Sequence, residues 1–551
     1  MIKNRNSGGG FPLNYIINTP EGTRDRLFAE CADRRKVQGA LTDLFAANGY
    51  AEISTPEIEF YDLFIQSGNP LPQESFLKII DRDGKIMVMR PDCTVPIARV
   101  AATKLKAVPL PQRLYYNETV FRSGQAHKGG SSEIAQCGIE LIGAAGQEAD
   151  VEVIALAVEA LKASSQHAFH IELGHVGLFR ALAAEMNMGA AQTEQMRLLI
   201  EGKHFAALNN LLEPYKEKPA CAVLTRLSQL FGSFEVLDEA EALVGKREEV
   251  EYLRTLYAAL QKKGYDQYIR FDLGLVHQID YYTGVVFRGY VEGAGAPVLS
   301  GGRYDNLVEK FGRPAPAIGF SVDADAVASC LSQPQAPTEH RLRIALTKGR
   351  LQDKSVEMFE GMGLDCTPIR NPGRRLVHSV PNYGLDAVLA KAPDVITYVE
   401  HGVCDLGIVG KDTILEKGSS FYEVLDLGFG KCRFALAVKE GSDFYGTYKT
   451  RRIATKYPEV ARTFFENKGM DVEIIKIEGS VELAPILDLA DAIVDIVETG
   501  ATLRENGLVP IEDVAQVSAR LIVNTASMKL YKNEILDFIS KCETELSKRH
   551  D

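Results

Sequence analysis

The stretch Ala490 to Leu508, ADAIVDIVETGATLRENGL, has the residue types of an anion site. An apolar, strand-like run carries Asp495 into Glu498, Thr499, Gly500, Ala501 and Thr502, and a helical pattern follows. Small residues at such a turn let backbone N–H groups close around a phosphate. Hydroxyls add donors, and the start of a helix brings the positive end of its dipole. Two carboxylates just before the turn would repel a bare phosphate. They suit the hydroxyls of a ribose whose 5′-phosphate occupies the turn. The plainer reading is that Asp495 and Glu498 cap the next helix and that the turn is an ordinary one, since short motifs also arise by chance.

A polyanionic substrate needs cations. The net charge of −12 over 551 residues argues against holding a long nucleic acid by general electrostatics, so the cations must be local. LTKGR supplies Lys348 and Arg350, and NPGRRL supplies Arg374 and Arg375. Each arginine taken alone is as readily a solvated surface charge. HGVCDLGIVGKD adds Asp405, Gly407, Gly410, Lys411 and Asp412, a group that either shapes a strand-to-loop turn or touches a ligand.

These residues need a scaffold, and the length calls for two or three domains. In the first half, Arg34 to Asn48 sets Val37, Leu41, Leu44 and Phe45 on one helical face, with Gly49 as the C-terminal cap. Short strand-like runs follow at Ile86 (IMVMR), Arg113 (RLYYN), Gly138 (GIELIG), Tyr268 (YIRFDLG) and Thr283 (TGVVFRGYV), which predicts one largely antiparallel sheet. About 176–263 reads as an inserted helical subdomain. LSQPQAPTEH, from Leu331 to His340, reads as a linker. Beyond it, strand-like runs alternate with helical ones, which predicts α/β architecture with parallel-type strands. The boundaries are then 1–335, a linker at 336–341, and 342–551.

The start, MIKNRNSGGG, has no apolar core of a secretory signal, and no later run is long enough to span a bilayer. Nine scattered cysteines without a C-x-x-C pair suggest reduced core thiols rather than disulfides or a zinc knuckle. The expectation is a soluble, cytoplasmic protein with no membrane partner.

LTKGRL, HGVCDLGIVGKD, ATKYP, VELAPILDLADAIVDIVETGATLRENGL and LIVN together resemble ATP phosphoribosyltransferase over nearly all of Leu342 to Lys529. The resemblance implies the short catalytic form, since little follows Asn524, and a two-lobed α/β fold like periplasmic binding proteins. It implies the first step of histidine biosynthesis: the adenine N1 of ATP displaces pyrophosphate from phosphoribosyl pyrophosphate, with Mg²⁺ as cofactor. Asp495 and Glu498 to Thr502 become the phosphoribosyl pyrophosphate loop. Arg350 and Arg374 become pyrophosphate-facing arginines with Lys348 beside them, Arg374 reaching a neighbouring subunit. Gly410, Lys411 and Asp412 become further substrate contacts. The metal ligands stay unassigned.

RPDCTVPIARV, YYNETVFRSGQAHKGGSSEIAQCGIELIG, IDYYTGVVF, LSGGRYDNLV and AIGFSV resemble the class II catalytic core of histidyl-tRNA synthetase from Thr19 to Leu331. By that resemblance Asp92, Thr94, Gln136, Glu140 and Tyr281 match histidine-contacting positions, with Tyr282 adjacent. Carboxylates and phenols suit an amino acid bearing an imidazole. The departures tell against aminoacylation. His277 stands where the synthetase has an arginine, Ala326 replaces another, and Gly124, Gly130 and Ser132 replace an acid and two arginines. With no anticodon-binding domain following, tRNA is not expected as a partner. The fit is to the synthetase-like regulatory subunit of ATP phosphoribosyltransferase, fused here to the catalytic subunit and inhibited by histidine. Such families imply a homo-oligomer, with a tetramer favoured. Two alternatives stay open: a histidyl-tRNA synthetase with an accessory domain, and a non-catalytic metabolite sensor.

Overall fold

The computed structural model describes residues 18–67, 71, 73–123, 131–227, 229–276, 281–331, 340–418, 420–446 and 449–550. Residues 332–339 of the expected linker region, the Gly-rich start, His277, Gly124 and Gly130 lie outside them. Contacts divide the chain into Met1–Arg197 with Tyr215–Gln335, and Leu198–Pro214 with Ala336–Asp551.

The first unit is built on a nine-stranded sheet. Its order is Ala51–Glu52, Gln112–Phe121, Glu133–Ile142, Ala317–Asp323, Leu299–Arg303, Val285–Val291, Phe169–His175, Ile269–Asp272 and Phe231–Gly232. Only the first pair and the pair Phe169–His175 with Ile269–Asp272 are parallel. The first helix, Ala29–Ala47, buries Val37, Leu41 and Phe45, and Gly49 follows at φ +81°, which a residue with a Cβ adopts only under strain. The run at Ile86 departs from the single-sheet expectation. Ile86–Met89 lies between Ile58–Phe60 and Lys78–Ile80 in a separate three-stranded sheet, so both of its edges are already paired. Helices do fill most of 176–263, interrupted by the edge strand Phe231–Gly232.

The second unit holds two sheets. The six-stranded one runs Val377–Val380, Leu385–Ala390, Leu342–Thr347, Leu406–Gly410, Ala519–Asn524 and Phe421–Asp426. The five-stranded one runs Val472–Lys476, Arg451–Thr455, Ala492–Val497, Cys432–Lys439 and Leu508–Val517. Each has a parallel core, as alternating strands and helices predict. Each also carries antiparallel strands, which the sequence reading did not anticipate. Cys432–Lys439 enters the five-stranded sheet from the other sheet and Leu508–Val517 leads back, so both run against Ala492–Val497 or each other. The two crossing segments are tied together: Leu427 N–H donates to the Ala519 carbonyl, and Ala519 N–H to the Phe429 carbonyl, both at 2.9 Å. Ser518 Oγ donates to Asp426 at 2.7 Å.

Among the described residues no helix is long and apolar enough to cross a membrane. No cysteine there is in a disulfide.

Candidate functional site

Some of the carboxy-terminal charges meet between elements of the two sheets of the second unit. Strand Leu342–Thr347 ends in a turn at Gly349, φ +89°, and helix Arg350–Gly361 begins at once. Strand Ala492–Val497 ends in Glu498 and Thr499, and Gly500 at φ +71° opens the short helix Ala501–Glu505. The positive φ at Gly500 lets the chain reverse there without a Cβ clash. Ala501 N–H reaches Thr499 Oγ1 at 3.4 Å. Arg350 Nη1 lies 3.0 Å from both carboxylate oxygens of Glu498, joining a helix start on one sheet to the acidic loop on the other. Asp495 lies deeper, and burial raises its carboxyl to about 6. Thr502 begins the exposed turn of the helix with Ala501.

A second link between elements of the two sheets joins Asp412 to Tyr457, whose phenol is pushed up by burial and by the Asp412 and Asp495 charges. The Asp412 carboxylate folds back over Gly410, where a Cβ would sit 2.1 Å from Oδ1. Gly410 is therefore needed for that fold-back. Tyr457, and Cys432 near Asp412, Glu498 and Arg350, are additions that the sequence reading did not single out. The ATKYP motif containing Tyr457 was the signal that could have found it.

Other expected residues sit elsewhere. Lys411, expected as a substrate contact, has its ammonium on the buried Glu423 carboxylate at 2.5 Å, an internal ion pair. Glu423 lies on Phe421–Asp426, one strand removed from Leu406–Gly410 across Ala519–Asn524. Asp405 is 4% exposed and accepts from Arg343 N–H and Ser527 Oγ at 2.7 Å, with His340 Nε2 at 3.1 Å. It fastens strands together rather than joining these charges. Gly407 leaves room for Val395, Val399 and Ile522, all within 3.1 Å of where a Cβ would be. Lys348 is exposed at its turn, its backbone N–H donating to the Ala390 carbonyl. Arg374 and Arg375 lie on an exposed turn leading into Val377–Val380, away from any ion pair among the described residues.

In the first unit, Asp92, Thr94, Gln136, Glu140, Tyr281 and Tyr282 line one cavity of about 330 Å³. Glu140 stands on strand Glu133–Ile142 at 2% exposure, accepting from Thr94 Oγ1 at 2.7 Å and from the Tyr304 hydroxyl. Burial pushes its carboxyl up to about 8 despite these donors. The carboxylate rests on Gly319 of the neighbouring strand, where a Cβ would stand 1.9 Å from Oε2. Asp92 caps helix Thr94–Ala102 through Val95 N–H at 3.0 Å. Tyr281 stacks on Tyr304 with centroids 5.5 Å apart and meets Tyr282 edge-on at 5.2 Å. Tyr304, within the GGRYD motif, and Tyr116 are further cavity walls that the sequence alone does not single out. Ala326 donates its N–H to Asp323 at 2.9 Å and brings no charge to that edge. Ser132 is buried, its carbonyl accepting from Arg122 N–H.

The chain thus pairs an antiparallel-sheet unit holding a polar cavity with an α/β unit in which charged residues from two sheets meet. The histidyl-tRNA synthetase family model matches residues 22–327, and the ATP phosphoribosyltransferase family model matches residues 391–544. An ATP phosphoribosyltransferase of Clostridium kluyveri is 59% identical over 209 residues, covering 38% of this chain and 95% of that protein. The ATP phosphoribosyltransferase regulatory subunit of the same organism is 40% identical over 350 residues, covering 62% of this chain and 86% of that protein. A solved Bacillus halodurans structure, described as an ATP phosphoribosyltransferase regulatory subunit/histidyl-tRNA synthetase, aligns with a TM-score of 0.54 at 30% identity, over 68% of this chain and 93% of that one. The chain belongs to the ATP phosphoribosyltransferase family as a fusion, with a regulatory-subunit half of the histidyl-tRNA synthetase family followed by a catalytic half.

Proposed function

We propose that the chain joins ATP to phosphoribosyl pyrophosphate, the first step of histidine biosynthesis, and that histidine bound in the Glu140 cavity inhibits it. The observation that carries the catalytic half is the Arg350–Glu498 pair: a cation at a helix start faces the carboxylate of a strand–Gly–helix loop. In this reading Glu498 and Asp495 accept the ribose hydroxyls, while the Thr499–Thr502 turn takes the 5′-phosphate. Glu498 then releases Arg350 to the departing pyrophosphate. Holding adenine N1 and the anomeric carbon in line supplies orientation, and the guanidinium stabilises the charge on the leaving group. Exposed Arg374 with Lys348 adds cations, Arg374 serving a neighbouring copy in a homo-oligomer, with a tetramer favoured.

Among the described residues no three metal-ligating side chains cluster. That suits Mg²⁺ held mainly by substrate phosphates, with Asp495 and Glu498 as the available protein carboxylates. Bound there, it would neutralise pyrophosphate charge. The two-sheet unit is read as lobes of the periplasmic-binding-protein kind, and the setting as cytoplasmic. Ala326, with His277 in the sequence, speaks against adenylate chemistry and hence against tRNA as a partner.

The test mixes the full chain with Mg²⁺, ATP and phosphoribosyl pyrophosphate and follows pyrophosphate release and the ultraviolet change of N1-ribosylated adenine. Turnover that falls with added histidine supports both halves. No turnover, alongside histidine-dependent exchange of pyrophosphate into ATP, replaces the reading with a synthetase. Tight binding of phosphoribosyl pyrophosphate without any turnover replaces it with a sensor.

A further inference from the structure

Glu423 is 5% exposed, yet it is a carboxylate with Lys411, Arg520 and His204 around it. Lys411 Nζ donates to Oε2 at 2.5 Å, and Arg520 Nη1 lies 3.4 Å from Oε1. His204 Nδ1 lies 3.7 Å from Oε2. Burial alone would raise this carboxyl. The proximity of His204, Lys411 and Arg520 outweighs that and holds it near 2. A register shift between Glu423 and Leu425 marks a bulge in the pairing of Phe421–Asp426 with Ala519–Asn524, and a bulge re-aims the side chain it carries.

His204 comes from Leu198–Pro214, which lies in sequence inside the stretch matched by the histidyl-tRNA synthetase family but belongs by contact to the second unit. Lys203, 1% exposed and at φ +52°, reverses the chain after helix Ala190–Glu201 and presents His204. Helix Phe205–Leu212 then packs against strand Phe421–Asp426, with Leu208 and Leu212 buried. Just upstream, Arg197 donates to the Val276 carbonyl at 3.4 Å, and Arg180 donates to the Tyr282 carbonyl at 2.7 Å. Tyr282 is a wall of the Glu140 cavity. Lys411, the partner of Glu423, is the first residue of helix Lys411–Lys417, and Asp412 beside it is the partner of Tyr457.

We propose that His204 is a positioning residue that carries the histidine response to the transferase site, acting on Asp412 through Glu423 and Lys411. This rests on the function proposed above. Movement of the Tyr282 backbone on filling the cavity would shift Arg180 and the helices leading to Leu198. His204 would then move against a carboxylate that is too buried to exchange its partners for water. The coupling requires two arrangements, His204 held against Glu423 or withdrawn from it, and withdrawal is costly because the buried carboxylate has no water to replace a lost partner.

The experiment uses the full chain as wild type, His204→Ala and His204→Gln, the glutamine keeping a donor toward Glu423. Circular dichroism checks folding, calorimetry measures histidine binding, and turnover of ATP with phosphoribosyl pyrophosphate is followed against histidine concentration. The expected result is that His204→Ala binds histidine as tightly as wild type but needs at least about tenfold more for half-inhibition, within the range of allosteric couplings. His204→Gln should recover most of the response. Half-inhibition unchanged within about twofold in His204→Ala overturns the inference, as does a wild type that turns over without responding to histidine. A wild type that does not turn over at all instead overturns the proposed function. Should His204→Ala fail to fold, the comparison of His204→Gln with Glu423→Gln decides: weakened inhibition in the second alone supports the proposal, and equal inhibition in both refutes it.

Discussion

Arg350 and Glu498 face each other with the guanidinium nitrogen 3.0 Å from each carboxylate oxygen, one residue starting the helix after a strand of the six-stranded sheet and the other directly following a strand of the five-stranded sheet. Both side chains are more than half exposed, so the pair is screened by solvent and contributes little to stability, about 0–1 kcal/mol. Its weight lies in chemistry. Arg350→Ala should lower kcat/KM by about 10²–10³, the usual cost of removing one preorganised charge, while the thermal midpoint hardly moves. Steady-state kinetics beside a melting curve checks this; a large fall in the midpoint would make Arg350 a structural residue.

Asp495 makes binding of the sugar phosphate depend on pH. Burial raises its carboxyl to about 6, so it is ionised at pH 7 and protonates as the pH falls through 6. The ionised form accepts ribose hydroxyls better. KM for phosphoribosyl pyrophosphate should therefore rise below pH 6, and Asp495→Asn should have a high KM without that dependence. A KM profile from pH 5 to 8 measures it.

Glu140 has the opposite bearing on stability. Its folded carboxyl titrates near 8 against 4.5 for the free group, so between these values the folded unit holds a proton that the unfolded chain has released. Stability is then fullest below about 4.5 and is lost as pH rises toward 8, by at most about 1.4 kcal/mol per unit. Urea unfolding of wild type and Glu140→Gln across this window should show the wild-type slope flattened in the variant. Histidine that brings a cation to Glu140 should favour the carboxylate and release a proton at pH 7. Calorimetry in buffers of different ionisation enthalpy would detect that release, and Glu140→Gln should abolish it.

Gly319→Ala would place a methyl group 1.9 Å from Glu140 Oε2 and 2.4 Å from the Ile139 carbonyl. Two adjacent strands cannot part by that much without losing their ladder, so the carboxylate must move. Overpacking of this kind costs about 1–3 kcal/mol. Histidine affinity should fall by more than tenfold, a difference of about 1.4 kcal/mol. Titration of the variant with histidine tests this, and unchanged affinity would show that Glu140 is not a contact.

Local chemistry along the chain determined much of this protein. Small residues after a strand forecast the Gly500 turn, the Val37–Leu41–Phe45 spacing forecast the first buried helix, and the six cavity residues were legible because motifs keep residue types in order. Tertiary structure decided which side chains meet. Pairings such as Arg350 with Glu498, 148 positions apart, leave no spacing signal. The same holds for Lys411, whose sequence neighbourhood looks like a substrate loop but whose ammonium is claimed by Glu423. The antiparallel course of Cys432–Lys439 followed from where the chain crosses between sheets, which no local propensity encodes. His204 shows the limit most clearly. Its helix reads as part of one domain because sequence order is all a sequence offers, and only packing of Leu208 and Leu212 against a distant strand assigns it to the other unit.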